Sequence, residues 1–227
     1  MHPTGGSLRV FRQFGWLEVG SVKVALSRPT HQRVTQAVGR RKGGKRLKTQ
    51  VEKSEALSAV NLDLGCQYYA IARYCATANF SPIGATMFHH AIEMFLKGYL
   101  VRTHSSSTLK KIGHNLAKLW LVFKETTSDA TLSRYDHTIS HLDRVELLRY
   151  ADAMVNEGFM LNVRLGVPSP VRLAGLENLP QYNINVSDLD DIVLVVFAAC
   201  NVNPKLGFRN TPSELSRSLP ASLFNAQ

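Results

Sequence analysis

Two sets of side chains in this sequence have the chemistry to move protons or to hold phosphate. In the first, Arg134 and His141 enclose six residues, R-YDHTIS-H. On an α-helix, seven steps of about 100° bring two side chains to one face two turns apart. A histidine titrating near neutrality serves as general acid or base, while an arginine holds a scissile phosphate and its developing charge. Such a pair, with His137 assisting, would support attack of a 2′-hydroxyl on an RNA phosphodiester without a metal ion. The second set is His90, Glu93 and Lys97, followed further on by His114. Glu93 and Lys97 form an i,i+4 pair in the favourable order. His90 and Glu93, at i,i+3, could share a metal with His89 or His114. No third ligand stands at a diagnostic spacing, however, so packing or surface pairing is the simpler reading, and neither a metal nor another cofactor is expected.

These residues lie on segments with helical period. From Ser54, apolar groups recur every three or four residues at Leu57, Val60, Leu64, Tyr68, Ile71 and Cys75, which predicts a helix stopped by Asn79 and Ser81-Pro82. A second helix is predicted from near Pro82 to near Arg102. It is apolar over most of its circumference, with Phe88, Ala91, Ile92, Phe95 and Tyr99 on one face, and is expected to be the most buried. His90, Glu93 and Lys97 form its narrow polar stripe, expected to meet solvent or a polar neighbour. After the loop THSSSTLKKIG, a third helix is predicted over His114 to Glu125. A fourth is predicted over LSRYDHTISHLDRVELLRYADAM, where Leu132, Ile139, Leu142, Val145 and Leu148 align. Connections this short favour up-and-down packing of neighbours.

Residues 159–186, interrupted by prolines and glycines, read as an irregular insertion. Ser187, followed by Asp188, Asp190 and Asp191, would cap a helix running through Cys200, although IVLVVF alone also suits a buried strand. Residues 187–227 are therefore expected to be a C-terminal helix and tail.

The formal net charge of +10 is unevenly placed. Residues 1–53 hold 12 of the 27 Lys and Arg but only 2 of the 17 acidic groups, Glu18 and Glu52, so the remainder of the chain is neutral. The run GRRKGGKRLK within it predicts a flexible basic arm offering nonspecific attraction for phosphates. Two alternating stretches, Leu8 to Phe14 and Ser21 to Leu26, could pair as a hairpin; the arm's composition also suits a transit peptide or an over-extended gene start. Three cysteines without CxxC spacing argue against a disulfide framework or zinc site and for a reducing cytoplasm. No apolar run approaches the roughly 20 residues that span a bilayer, so no membrane association is expected.

The run HHAIEMFLKGYLV, then GHNLAKL after a loop, then HLDRVELLRYADA, resembles the HEPN family, in which an H-x-x-E-x-x-x-K helix precedes a G-H-x-L helix start and a later L-R-Y segment. The matching positions are His90, Glu93, Lys97, Gly113, His114, Leu116, Arg149 and Tyr150. The resemblance covers residues 54–158 and implies a mainly α fold: an antiparallel four- to five-helix up-and-down bundle, here preceded by a disordered basic arm over 1–53. It implies a homodimer, and either of two activities. One branch binds nucleotide or RNA, or a nucleotidyltransferase-type partner protein, through a cleft formed here by His90, Glu93, Lys97, His114, Arg149 and Tyr150. The other comprises metal-independent endoribonucleases of toxin or defence type, whose Arg and His would be Arg134 and His141. That branch usually has a small polar residue after the arginine, where this chain has Tyr135. Structural roles compete at each position: His114 could cap or pack at a helix start, and Arg149 could pair with Glu146 or Asp152.

Overall fold

The computed structural model describes residues 42–150, 152, 155, 158–166 and 178–225, which all fall in one unit spanning Arg41–Gln227. The hairpin expected within residues 8–26, and the basic arm up to residue 41, lie outside the described residues.

The fold is a mainly helical bundle. Helix α1 runs over Lys42–Thr77, so it begins twelve residues before the expected start at Ser54. Lys, Arg, Leu, Gln and Glu are good helix formers, and past Gly43-Gly44 that propensity outweighs the repulsion among the basic groups. The last part of the expected flexible arm therefore belongs to the bundle's first helix. As predicted, Asn79 (φ 62°) and Ser81-Pro82 reverse the chain, and α2 follows over Ser81–Leu100. The two helices pack antiparallel. Ser58 Oγ donates to Gly98 O at 2.7 Å near one end, and Gly84 sits against Cys75 near the other. Between them Gly65 admits the ring of Phe95: a Cβ at Gly65 would lie 2.6 Å from Phe95 Cδ1.

The residues expected to be a loop form a short helix instead, α3, Ser106–Ile112, because Ser105 caps it by accepting from Thr108 N. Helix α4, Leu116–Thr127, is capped by Asn115, which accepts from Lys118 N at 2.7 Å. The fourth predicted helix is divided. A 3-10 turn over Ala130–Tyr135 leads into α5, Asp136–Val145, and a second 3-10 turn over Glu146–Arg149. In a three-residue turn, positions i and i+3 coincide, so Leu132 and Tyr135 are buried together.

Residues 159–186 also depart from expectation. Met160–Arg164 (β1) and Gln181–Asn185 (β2) pair in parallel, with Met160 opposite Gln181 and Arg164 opposite Asn185. In β2, Tyr182 and Ile184 point into the core and alternate with Gln181, Asn183 and Asn185. The helical reading of the next segment agrees with the structure: α6 spans Val186–Ala199, though its cap is Asn185 rather than Ser187. The expected tail is folded into one-turn helices, Pro204–Gly207, Ser213–Ser216 and Ser222–Asn225, which bury Phe208, Leu219 and Leu223.

Helix α2 lies at the centre. Its Phe88, Ile92, Phe95 and Leu96 meet Leu119 and Phe123 of α4, Ile139 and Leu142 of α5, and Ile192, Val196 and Phe197 of α6 in one apolar cluster. Cys66, Cys75 and Cys200 are free and buried. Among the described residues, no helix is long and apolar enough to cross a membrane.

Candidate functional site

Within the polar stripe of α2, His90 and Lys97 are half-buried and Glu93 is closed to solvent. Glu93 is fully buried, one turn before Lys97 and one turn after His89 on the same helix. A carboxylate removed from water needs partners, and two side chains supply them. Lys97 Nζ donates to Glu93 Oε1 at 2.6 Å. From the start of α4, His114 Nδ1 lies 3.0 Å from Glu93 Oε1 and 3.2 Å from Oε2. Burial pushes the Glu93 carboxyl up, but the hydrogen bonds and charges of Lys97 and His114 outweigh it, so its pKa is lowered below the ordinary carboxylate value.

His114 reaches Glu93 because the chain is held on both sides of it. Gly113 adopts φ 68°, a left-handed conformation that closes α3 and that a side chain would strain. Asp143 of α5 accepts from Leu116 N at 2.7 Å and from Ala117 N at 3.3 Å, pinning the N-terminus of α4 to α5. Asn115, not His114, is the cap of α4. The His114 imidazole remains 68% exposed and bonds Glu93 through Nδ1.

Behind Glu93 lies a second arrangement. His89 is fully buried and donates from Nδ1 to Leu142 O at 3.1 Å. Its Nε2 has no hydrogen-bond partner among the described residues; it stands 3.9 Å from Glu93 Oε2 and 3.8 Å from Glu146 Oε2. His90 Nδ1 is 3.8 Å from the same Glu93 oxygen, and its ring packs 5.7 Å from that of Tyr68. His89, His90 and Glu93 thus offer three ligand atoms within 4.8 Å of one another. The i,i+4 spacing of His89 and Glu93 is readable from sequence; the arrival of Glu146 and Asp143 from the far side of the bundle is not.

Of the six residues expected to form the cleft, His90, Glu93, Lys97 and His114 are brought together. Tyr150 follows the second 3-10 turn with an exposed side chain. The side chain of Arg149 lies outside the described residues.

Arg134 and His141 are not placed on one helix. Arg134 belongs to the 3-10 turn and His141 to α5, so the 100° step does not hold across the interval. Arg134 donates to the Tyr135 hydroxyl, with its guanidinium 4.6 Å from that ring's centroid. Tyr135 in turn donates to Asp191 at 3.0 Å. His141 instead pairs with His137, the two Nε2 atoms 3.0 Å apart, and its Nδ1 accepts from Asn183 N at 3.3 Å. Among the described residues no hydrogen bond or ion pair links Arg134 to His141. Burial, then the charges of His137 and Arg144, lower the pKa of His141 below its ordinary 6.5.

Comparison of the chain with protein-family models, with curated proteins and with solved structures found no match.

Proposed function

We propose that this chain is a HEPN-type module that binds the phosphate groups of a nucleotide or RNA through Lys97 and His114. The observation that carries the reading is the Glu93 carboxylate, buried and bonded to both. An ammonium has three donors and only one is spent on Glu93, while the exposed His114 ring keeps its second nitrogen for a ligand. Fixing both side chains on one carboxylate lowers the entropy lost when they close on an anion. Lys110, Lys111 and Lys118 flank His114 in the chain with exposed side chains and add diffuse positive charge. The test is a fluorescence titration of EDTA-dialysed protein with labelled nucleotides and short RNAs at moderate salt. Saturable binding weakened by Lys97→Ala and His114→Ala supports the proposal, and its absence in the folded parent refutes it. The same resemblance extends the proposal to a homodimer, or to assembly with a nucleotidyltransferase-type partner.

A second reading, a metal-independent endoribonuclease, is favoured by the His137–His141 contact at 3.0 Å. Two imidazoles in one hydrogen bond can divide the acid and base roles, with Arg134 as the phosphate group's partner after release from Tyr135. RNA cleavage in EDTA, abolished by His141→Ala and by Arg134→Ala, would establish it. Undiminished cleavage by His141→Ala would remove His141 from the role.

A further inference from the structure

The buried His89 imidazole keeps one ring nitrogen without a hydrogen-bond partner. Its Nδ1 donates to the Leu142 carbonyl, so in the neutral ring Nε2 carries a lone pair. That lone pair is buried and stands among carboxylate oxygens of Glu93 and Glu146, at 3.9 and 3.8 Å. Lone pairs of one imidazole and two carboxylates thus converge on a small buried space, the arrangement that a metal cation draws on.

We propose that His89 Nε2, His90 Nδ1 and Glu93 Oε2, with Glu146 Oε2 alongside His89, bind a divalent transition-metal ion of the zinc class. Ligand atoms each about 2.0–2.2 Å from a tetrahedral ion stand about 3.3–3.5 Å apart. Glu93 Oε2 stands 3.9 and 3.8 Å from the two histidine nitrogens, and the three ligand atoms all lie within 4.8 Å of one another, so side-chain torsions must draw them together to hold an ion. Two imidazoles with carboxylates suit zinc and its first-row neighbours better than magnesium or calcium, which take mainly oxygen. The Leu142 carbonyl supplies the second-shell bond that orients a ligating histidine and raises its basicity. Access is through His90, whose side chain is 21% exposed, whereas His89 and Glu93 are closed to solvent. Because Glu93 Oε1 serves Lys97 and Oε2 faces the two histidines, one carboxylate joins this site to the phosphate-binding pair without either function requiring the other.

Zinc titration of the EDTA-stripped full chain by calorimetry tests the site, with Co2+ absorption reporting the coordination. One ion per chain and an intense ligand-field band are expected, with affinity at least about tenfold lower in His89→Gln and His90→Gln. His89 is a core residue whose replacement could impair folding, so the partly exposed His90 is the decisive position, with far-UV circular dichroism confirming the fold. No saturable zinc binding by the folded parent, or a loss of binding in His141→Gln that His90→Gln does not share, overturns the proposal.

Discussion

Asp190, in the first turns of α6, accepts the guanidinium of Arg73, which lies 117 residues earlier on α1. Tyr69 donates its hydroxyl to the same carboxylate oxygen, and Arg73 Nε donates to the Ser218 carbonyl, so one acidic residue ties the first helix, the sixth helix and the C-terminal turns together. Its neighbours act alike: Asp188 accepts from Thr138 of α5, and Asp191 from Tyr135. The acidic run at the start of α6 is thus a clasp between elements as well as a complement to the helix dipole.

Because the Arg73 and Asp190 side chains are only 11% and 15% exposed, removing one partner strands the other. Asp190→Ala is expected to lower stability by about 3 kcal/mol, and Arg73→Ala by a similar amount. Replacing both with apolar residues of similar size should cost less than either single change. Urea denaturation followed by circular dichroism measures all three.

Gly65→Ala is expected to destabilise by about 1–3 kcal/mol, since the new methyl group must displace the Phe95 ring at the centre of the bundle. Combining it with Phe95→Leu should recover part of that loss relative to the sum of the two single effects. Thermal unfolding of the three variants decides this, and strict additivity would show that the ring is not the obstacle.

Acidification should weaken the fold through His141. A histidine whose pKa is lowered in the folded state binds its proton more readily when unfolded, so its penalty is absent above the ordinary value of 6.5. The penalty grows as pH falls through 6.5 and levels off below the lowered folded value. The thermal midpoint should therefore drop between about pH 8 and about pH 5, and drop less in His141→Gln. Equal pH dependence in the two proteins would contradict this assignment.

At the proposed phosphate site, Lys97→Ala and His114→Ala are each expected to weaken nucleotide or RNA binding about tenfold, the worth of a charged hydrogen bond. Lys97→Ala should also flatten the salt dependence of affinity by about one unit of slope for a duplex-like ligand and less for a single strand. Titrations at several salt concentrations provide both numbers.

The sequence determined most of the helices, because their apolar positions repeat every three or four residues and their ends carry local signals such as Asn79-Phe80-Ser81-Pro82. It also determined the centrality of α2, whose apolar positions cover most of its circumference, and the Glu93–Lys97 pair, which one helical turn creates. Local signals also lie behind some of the differences: Ser105 capping α3, and the alternation of Tyr182, Ile184 and Val186 in and after β2. The tertiary structure decided the rest. Parallel pairing of β1 with β2 joins segments whose register no turn specifies. Glu93 is buried because α4 and α5 close over it, and His114 reaches it because Asp143 holds the start of α4. Arg134 and His141, aligned on an ideal helix, are parted because packing of Leu132 and Tyr135 favours a 3-10 turn. His89 and Glu146, 57 residues apart in sequence, face each other only once the bundle is assembled. Helical periodicity is a property of neighbours along the chain, whereas the environment of a buried carboxylate is set by residues that only folding brings near.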